Sequence, residues 1–264
     1  MSAEGYLNVG KYKIHYVKWG ERGRKIVIFH SMGMDAYSME EMCESLKGKY
    51  RILALTILAH GDSSVPMELV TLPEHAELLR TCYRKLGFTP CVLIGHSIGG
   101  RMGMILAAGY PDEVKGLILV DIAPPDPILR PWSQQPPTSF SNDAEVVTYL
   151  RQRYPGFTTE YINNRLKHGF NSQPNGTILP KPTGNPNMTS YYIDLWPYVE
   201  RIRVPTKLIL GSESQLVTPE KKDRMVKLIH GLELSTVKGA GHMVPQDKPK
   251  EFEKEVKTFL LRLD

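Results

Sequence analysis

Long apolar runs, a pairable set of cysteines and blocks of like charge are all missing from the 264-residue sequence, and each absence bears on function. No apolar stretch approaches the roughly 18 residues needed to cross a bilayer, so no membrane partner is expected. The start, Met1 to Asn8, lacks a charged segment followed by an apolar one, and a cytoplasmic protein is the expectation. Three cysteines, Cys43, Cys82 and Cys91, cannot pair completely and show no metal-ligand spacing. Reduced thiols with structural roles, and no bound metal, follow. The net charge of +5 comes from Lys and Arg spread along the chain among Asp and Glu, which gives nucleic acid no footprint. No internal repeat is present.

What the chain does have is an alternation of apolar strands and amphipathic helices long enough for one large domain, or a domain with an insertion. Residues 5–18 alternate in a way that suggests an antiparallel hairpin. Short apolar runs at 25–30, 50–56, 91–94, 116–120, 204–211 and 232–237 read as buried strands, with helical spacing at 36–47, 72–86, 98–110, 218–230 and 248–262. A parallel sheet covered on both faces is the expected core. From about residue 123 to 200 the composition shifts to proline, asparagine and glycine, broken by helical patterns near 143–154 and 158–168. The expected organisation is therefore a core of residues 1–122 and 201–264 with a lid inserted at 123–200.

The sequence is organised around Gly95-His96-Ser97-Ile98-Gly99, which follows the apolar run from Cys91 and precedes a helical segment rich in small residues. A serine on so tight a strand-to-helix turn sits in a strained backbone, so the positions two before and two after it must lack side chains. Its hydroxyl is pushed out near the positive end of the helix, where the Ile98 amide can face an oxyanion. Acyl transfer by a serine also needs a base, a carboxylate to orient that base, and further amide donors. The chain offers Ser97, then carboxylates, among them Asp121, unusual at the end of an apolar strand, and then His242 in the glycine-flanked loop 238–244, in the order serine, acid, histidine. His96 is expected to pack beneath the turn, and His60 reads as a loop histidine with local hydrogen bonds or as a group on the substrate side.

That order on a strand–turn–helix resembles the α/β-hydrolase family, and the resemblance extends over nearly the whole chain. His30 to Gly33 looks like the family's oxyanion loop, Ala59 to Ser63 like its loop after the next strand, and Gly239 to His242 like its histidine loop. The resemblance implies an α/β-hydrolase fold with a mostly parallel eight-stranded sheet flanked by helices, an inserted lid, and a cofactor-independent serine hydrolase acting on a small-molecule ester. Catalytic Ser97, His242 and Asp121, with the Met32 and Ile98 amides as the oxyanion hole, are the implied machinery.

Two departures stand out. Ser31 follows His30 where the family usually has glycine, and Ser214 stands where many relatives carry the acid. Asp121 and Glu213 both remain as substitutes. Asp121 is favoured because Val120-Asp121-Ile122-Ala123-Pro124 is similar to small esterases of the YbfF and ABHD11 type, whereas Glu213 is one residue out of register. His30, Trp132 and Trp196 are candidates for a substrate pocket, with Tyr191, Tyr192, Met32, Met34 and Met243 as further apolar walls. A fold does not fix its chemistry. Lactone opening, carbon–carbon bond hydrolysis and slow-turnover ligand binding stand as alternatives, and oligomeric state is left open.

Overall fold

The computed structural model describes residues 2–125, 137–184 and 193–263. The chain opens with the antiparallel hairpin β1 (Ala3–Val9) and β2 (Tyr12–Trp19). It continues through β3 (Lys25–Phe29), β4 (Arg51–Leu55), β5 (Cys91–His96) and β6 (Val114–Val120). A two-stranded hairpin, β7 (Phe170–Ser172) and β8 (Ile178–Pro180), lies apart, and β9 (Thr206–Gly211) and β10 (Glu233–Val237) return to the main sheet. The eight-stranded sheet has the order β1-β2-β4-β3-β5-β6-β9-β10. β2 pairs antiparallel with β4, and every later neighbour is parallel.

The apolar runs read as buried strands are buried because both faces of the sheet are covered. Alternate residues point to opposite faces. Val27, Phe29, Leu53, Leu55, Leu93, Leu117 and Leu119 join one core with α2 (Leu72–Lys85) and α3 (Ile98–Gly109). Ile26, Ile28, Ile52, Ala54, Val92, Ile94, Ile118 and Val120 join the other with α1 (Glu40–Leu46) and the final helix, Pro249–Arg262. Helix starts follow from capping chemistry. At α2, Thr71 and Glu74 form a reciprocal capping box, with the Glu74 carboxylate accepting from the Thr71 amide at 2.7 Å.

The expected helix at 36–47 is shorter in the structure. The Ser38 amide donates to the Asp35 carbonyl at 3.0 Å and the Glu40 amide to the Tyr37 carbonyl at 3.1 Å, so residues 35–40 form i→i+3 turns, with Asp35 Oδ1 and Thr56 Oγ1 accepting from the Tyr37 and Ala36 amides, and helical bonding starts at Glu40.

Within the expected insertion, α4 (Asp143–Arg153) and α5 (Thr159–His168) share a small core with the β7–β8 hairpin. Phe140, Val146, Leu150, Phe157, Ile162 and Ile178 fill it, and Met34 joins it from the loop after β3. The hairpin turns at Asn175-Gly176, where Gly176 has φ of +84°, in a stretch whose composition suggested only irregular chain. Further on, α6 (Trp196–Val199) places Leu195 and Val199 in the main core beside α3. The remaining helices are α7 (Pro219–Leu228), α8 (Val244–Asp247) and α9, the final helix. No helix among the described residues is long and apolar enough to cross a membrane.

Several histidines are enclosed in this core. Burial, which penalises the charged imidazolium, is the leading cause that holds His30 down to about 3, His60 to about 4 and His75 to about 4. An unfolded histidine, near 6.5, takes up its proton before these do. Their contribution to stability is therefore complete above about pH 6.5 and is lost as pH falls toward the folded values. The thermal unfolding midpoint, followed by circular dichroism from pH 8 to 5, is expected to be level at the upper end and to drop steadily below about pH 6.5. A midpoint unchanged down to pH 5 would show that these imidazoles are protonated in the native state.

Candidate active site

The carboxyl ends of β5, β6 and β9 lie side by side, because His96 pairs in register with Val120 and Val120 with Ile209. The residue just beyond β5 is Ser97, and the one just beyond β6 is Asp121. Both adopt positive φ, +53° and +44°. Ser97 combines this with ψ of −117°, a conformation that non-glycine residues rarely adopt, and its amide donates to the Val120 carbonyl at 3.1 Å. The glycines around it have a steric cause. A Cβ on Gly95 would lie 2.6 Å from the Gly100 Cα, and one on Gly99 would lie 2.4 Å from the Phe29 carbonyl oxygen. Ser97 is half-buried and stands at the N-terminus of α3, whose dipole favours negative charge there.

Asp121 is 1% exposed and its carboxylate is fully engaged. Oδ2 lies 2.7 Å from His242 Nδ1 and accepts from Ser214 Oγ at 2.6 Å, while Oδ1 accepts from the Gly211 amide at 3.2 Å. Ser214, the departure noted in the sequence, thus hydrogen-bonds the Asp121 carboxylate at the end of β6. Glu213, the other candidate, is exposed and accepts from Ser212 Oγ at 2.9 Å. The imidazole of His242 is engaged by Asp121.

His96 ties the histidine loop to the serine turn. It is fully buried, its Nε2 donates to the His242 carbonyl at 2.8 Å, and the two rings lie 5.1 Å apart. Burial, with His242 nearby, holds its pKa well below the ordinary histidine value, so it is a neutral strut with a fixed tautomer. Among the described residues no hydrogen bond joins Ser97 Oγ to His242. Such contacts are commonly loose without substrate.

The loop after β3 makes a tight turn. The Met34 amide donates to the Ser31 carbonyl at 3.1 Å, and Gly33 supplies the positive φ of +78° that a type II turn requires at its third residue. Neither the Met32 nor the Ile98 amide has an acceptor among the described residues. His30, expected to line a substrate pocket, requires correction. It is 1% exposed, its Nε2 accepts from the Ile57 amide at 2.9 Å, and its Nδ1 is left to donate to the Ser31 carbonyl at 2.7 Å. Both nitrogens are committed to backbone, so the ring braces this turn and offers a ligand nothing.

His60 is buried, with Nδ1 bonded to the Leu58 carbonyl at 2.9 Å, in keeping with the local reading of that residue. Trp196 packs against the main core with the Arg224 guanidinium 3.9 Å over its ring, and Trp132, Tyr191 and Tyr192 lie outside the described residues. A cavity of about 310 Å³ opens elsewhere, between α1, α5 and the start of α9. It is lined by Met42, Tyr161 and Phe252 among others, and not by Ser97, Asp121 or His242. The contacts that sequence reading missed are those of Ser214 and of the pair Asp35 and Arg165. Only Ser214 had a signal, its position at the usual acid site.

Residues 25–249 match the family model of the α/β-hydrolase fold. The sn-1-specific diacylglycerol lipase ABHD11 of Mus musculus is 28% identical over 231 residues, covering 80% of this chain and 71% of the lipase. Epoxide hydrolase 4 of Mus musculus is 24% identical over 264 residues, covering 90% and 73%. Among solved structures, that of E-2-(acetamidomethylene)succinate hydrolase superposes with a TM-score of 0.84 at 21% identity, covering 98% of this chain and 99% of the other. With a matched family model over most of its length and the eight-stranded, mostly parallel sheet described above, the chain belongs to the α/β-hydrolase fold family.

Proposed function

We propose that the protein is a carboxylic ester hydrolase that works through a Ser97–His242–Asp121 triad and an acyl-enzyme. The observation that carries this reading is the 2.7 Å contact between buried Asp121 Oδ2 and His242 Nδ1 at the strand end next to Ser97. A carboxylate on Nδ1 keeps the proton there and leaves the Nε2 lone pair as a base. His242 takes the Ser97 hydroxyl proton as Oγ bonds to the ester carbonyl carbon, and Asp121 stabilises the resulting imidazolium. The Met32 and Ile98 amides hold the tetrahedral oxyanion. As the carbon–oxygen bond to the alcohol breaks, His242 returns the proton to the leaving oxygen. Water, deprotonated by His242, then attacks the acyl-enzyme, and His242 passes that proton to Ser97 Oγ as its bond to the acyl carbon breaks and the acid leaves. No step calls for a metal or cofactor.

This geometry also supports opening of a lactone, a cyclic ester, by the same steps. One structural neighbour is the enol-lactonase from Burkholderia xenovorans LB400, with a TM-score of 0.74 and 21% identity. A panel of p-nitrophenyl esters of increasing acyl length beside simple lactones separates the two by kcat/KM.

Ser97→Ala is expected to abolish hydrolysis of p-nitrophenyl esters and labelling by a fluorophosphonate probe. Turnover at the parent rate would rule out Ser97 as nucleophile. Asp121→Asn should lower kcat by about 10⁴-fold, since an asparagine favours the wrong imidazole tautomer. Glu213→Gln should stay within about threefold of the parent, as expected for an exposed group outside the triad. If the large loss fell on Glu213→Gln instead, the acid would have to be reassigned.

A further inference from the structure

Helix α5 reaches the turn after β3 with two side chains one helical turn apart. Tyr161 and Arg165 lie at i and i+4, so they project from the same face. The Tyr161 hydroxyl lies 3.1 Å from the Met34 sulfur, and Arg165 Nη1 lies 2.6 Å from Asp35 Oδ2. Met34 and Asp35 directly follow the turn that carries Met32 and Gly33. The ion pair is enclosed, with side-chain exposures of 6% and 4%. The other carboxylate oxygen of Asp35 accepts from the Tyr37 amide at 2.9 Å. Burial, the largest single influence, would push the Asp35 carboxyl up, but the Arg165 guanidinium, the Tyr37 amide and His30 together outweigh it and hold the carboxyl below its ordinary value, so the pair is ionic.

The opposite end of the turn is braced against the β-sheet core by His30, whose ring bonds Ser31 and Ile57. The chain from Ser31 to Asp35 is thus held by His30 at one end and by α5 at the other, with Ser31 Oγ also 3.9 Å from the Met243 sulfur. An ion pair of this kind is a costly way to hold a helix in place, because apolar residues of similar volume commonly give equal or greater stability. What a charged pair adds here is direction. It sets the Asp35 carboxylate in one orientation, and that carboxylate orients the backbone on the far side of the turn.

We infer that Arg165 is a positioning residue which, through Asp35, holds the turn at residues 31–34 so that the Met32 amide faces the oxyanion formed on Ser97. This rests on the ester-hydrolase reading above. It makes α5 a working part of the site, with no contact to substrate. A shift of the turn by about 1 Å displaces the amide most in the tetrahedral state, where catalysis depends on it, and least in the bound ester. The loss therefore belongs in kcat.

Arg165→Met, Arg165→Lys and the double variant Asp35→Leu/Arg165→Met are compared with the parent on p-nitrophenyl butyrate, well below each unfolding midpoint, with Ser97→Ala run alongside. Arg165→Met is expected to lower kcat about 10- to 100-fold with KM within about threefold. Arg165→Lys, which keeps the charge, should recover part of that loss. The double variant should regain most of the parent's thermal midpoint, having no unpaired buried charge, while its kcat stays low. If the double variant recovers kcat together with the midpoint, or if the lysine and double variants both turn over like the parent, the positioning role is wrong. These two variants decide the matter even where Arg165→Met does not fold. Loss of activity in Ser97→Ala alone would overturn the role of Arg165 and leave the hydrolase reading intact. Parent-like turnover in Ser97→Ala would remove both.

Discussion

The site depends on one buried carboxylate. Asp121 sits at the end of β6 with almost no access to water, and an ionised group there persists only if its oxygens are met by donors. Three are supplied, from His242, Ser214 and the Gly211 amide, and they come from the end of β9 and from the segments that follow β9 and β10. Satisfying Asp121 therefore fixes where the histidine loop stands. The same contacts that make the carboxylate tolerable hold the imidazole beside the neighbouring strand end, where half-buried Ser97 sits on its strained turn.

Much of this was legible in the sequence because the constraint is local. Strands covered on both faces must be apolar throughout, so the runs at 25–30 and 91–94 and the sheet they build could be read directly. The glycines around Ser97 follow from close backbone approach, and only residues without a Cβ fit there. Asp121 stood out because a carboxylate closing an apolar strand needs a partner. Ser214 in the usual acid position was visible, but its hydrogen bond to Asp121 was not.

What escaped the sequence is what depends on contacts between distant segments. Asp35 and Arg165 are 130 positions apart, and nothing in the residues around either one points to the other. His30 was read as a candidate for a substrate pocket, yet its burial and its two backbone bonds could only be seen once β3 and β4 were side by side. The Asn175-Gly176 turn was a readable hairpin signal, masked by the proline- and asparagine-rich composition around it. The late start of α1 was equally hidden, because the i→i+3 turns at residues 35–40 lie in a stretch whose apolar spacing is helical throughout.

The central claim, that Ser97 forms a covalent acyl intermediate under the control of His242 and Asp121, is tested most directly by mass spectrometry of enzyme acid-quenched during turnover of a p-nitrophenyl ester. The account predicts one acyl group, carried by the peptide that contains Ser97. An acyl group found instead on a peptide lacking Ser97 would contradict it.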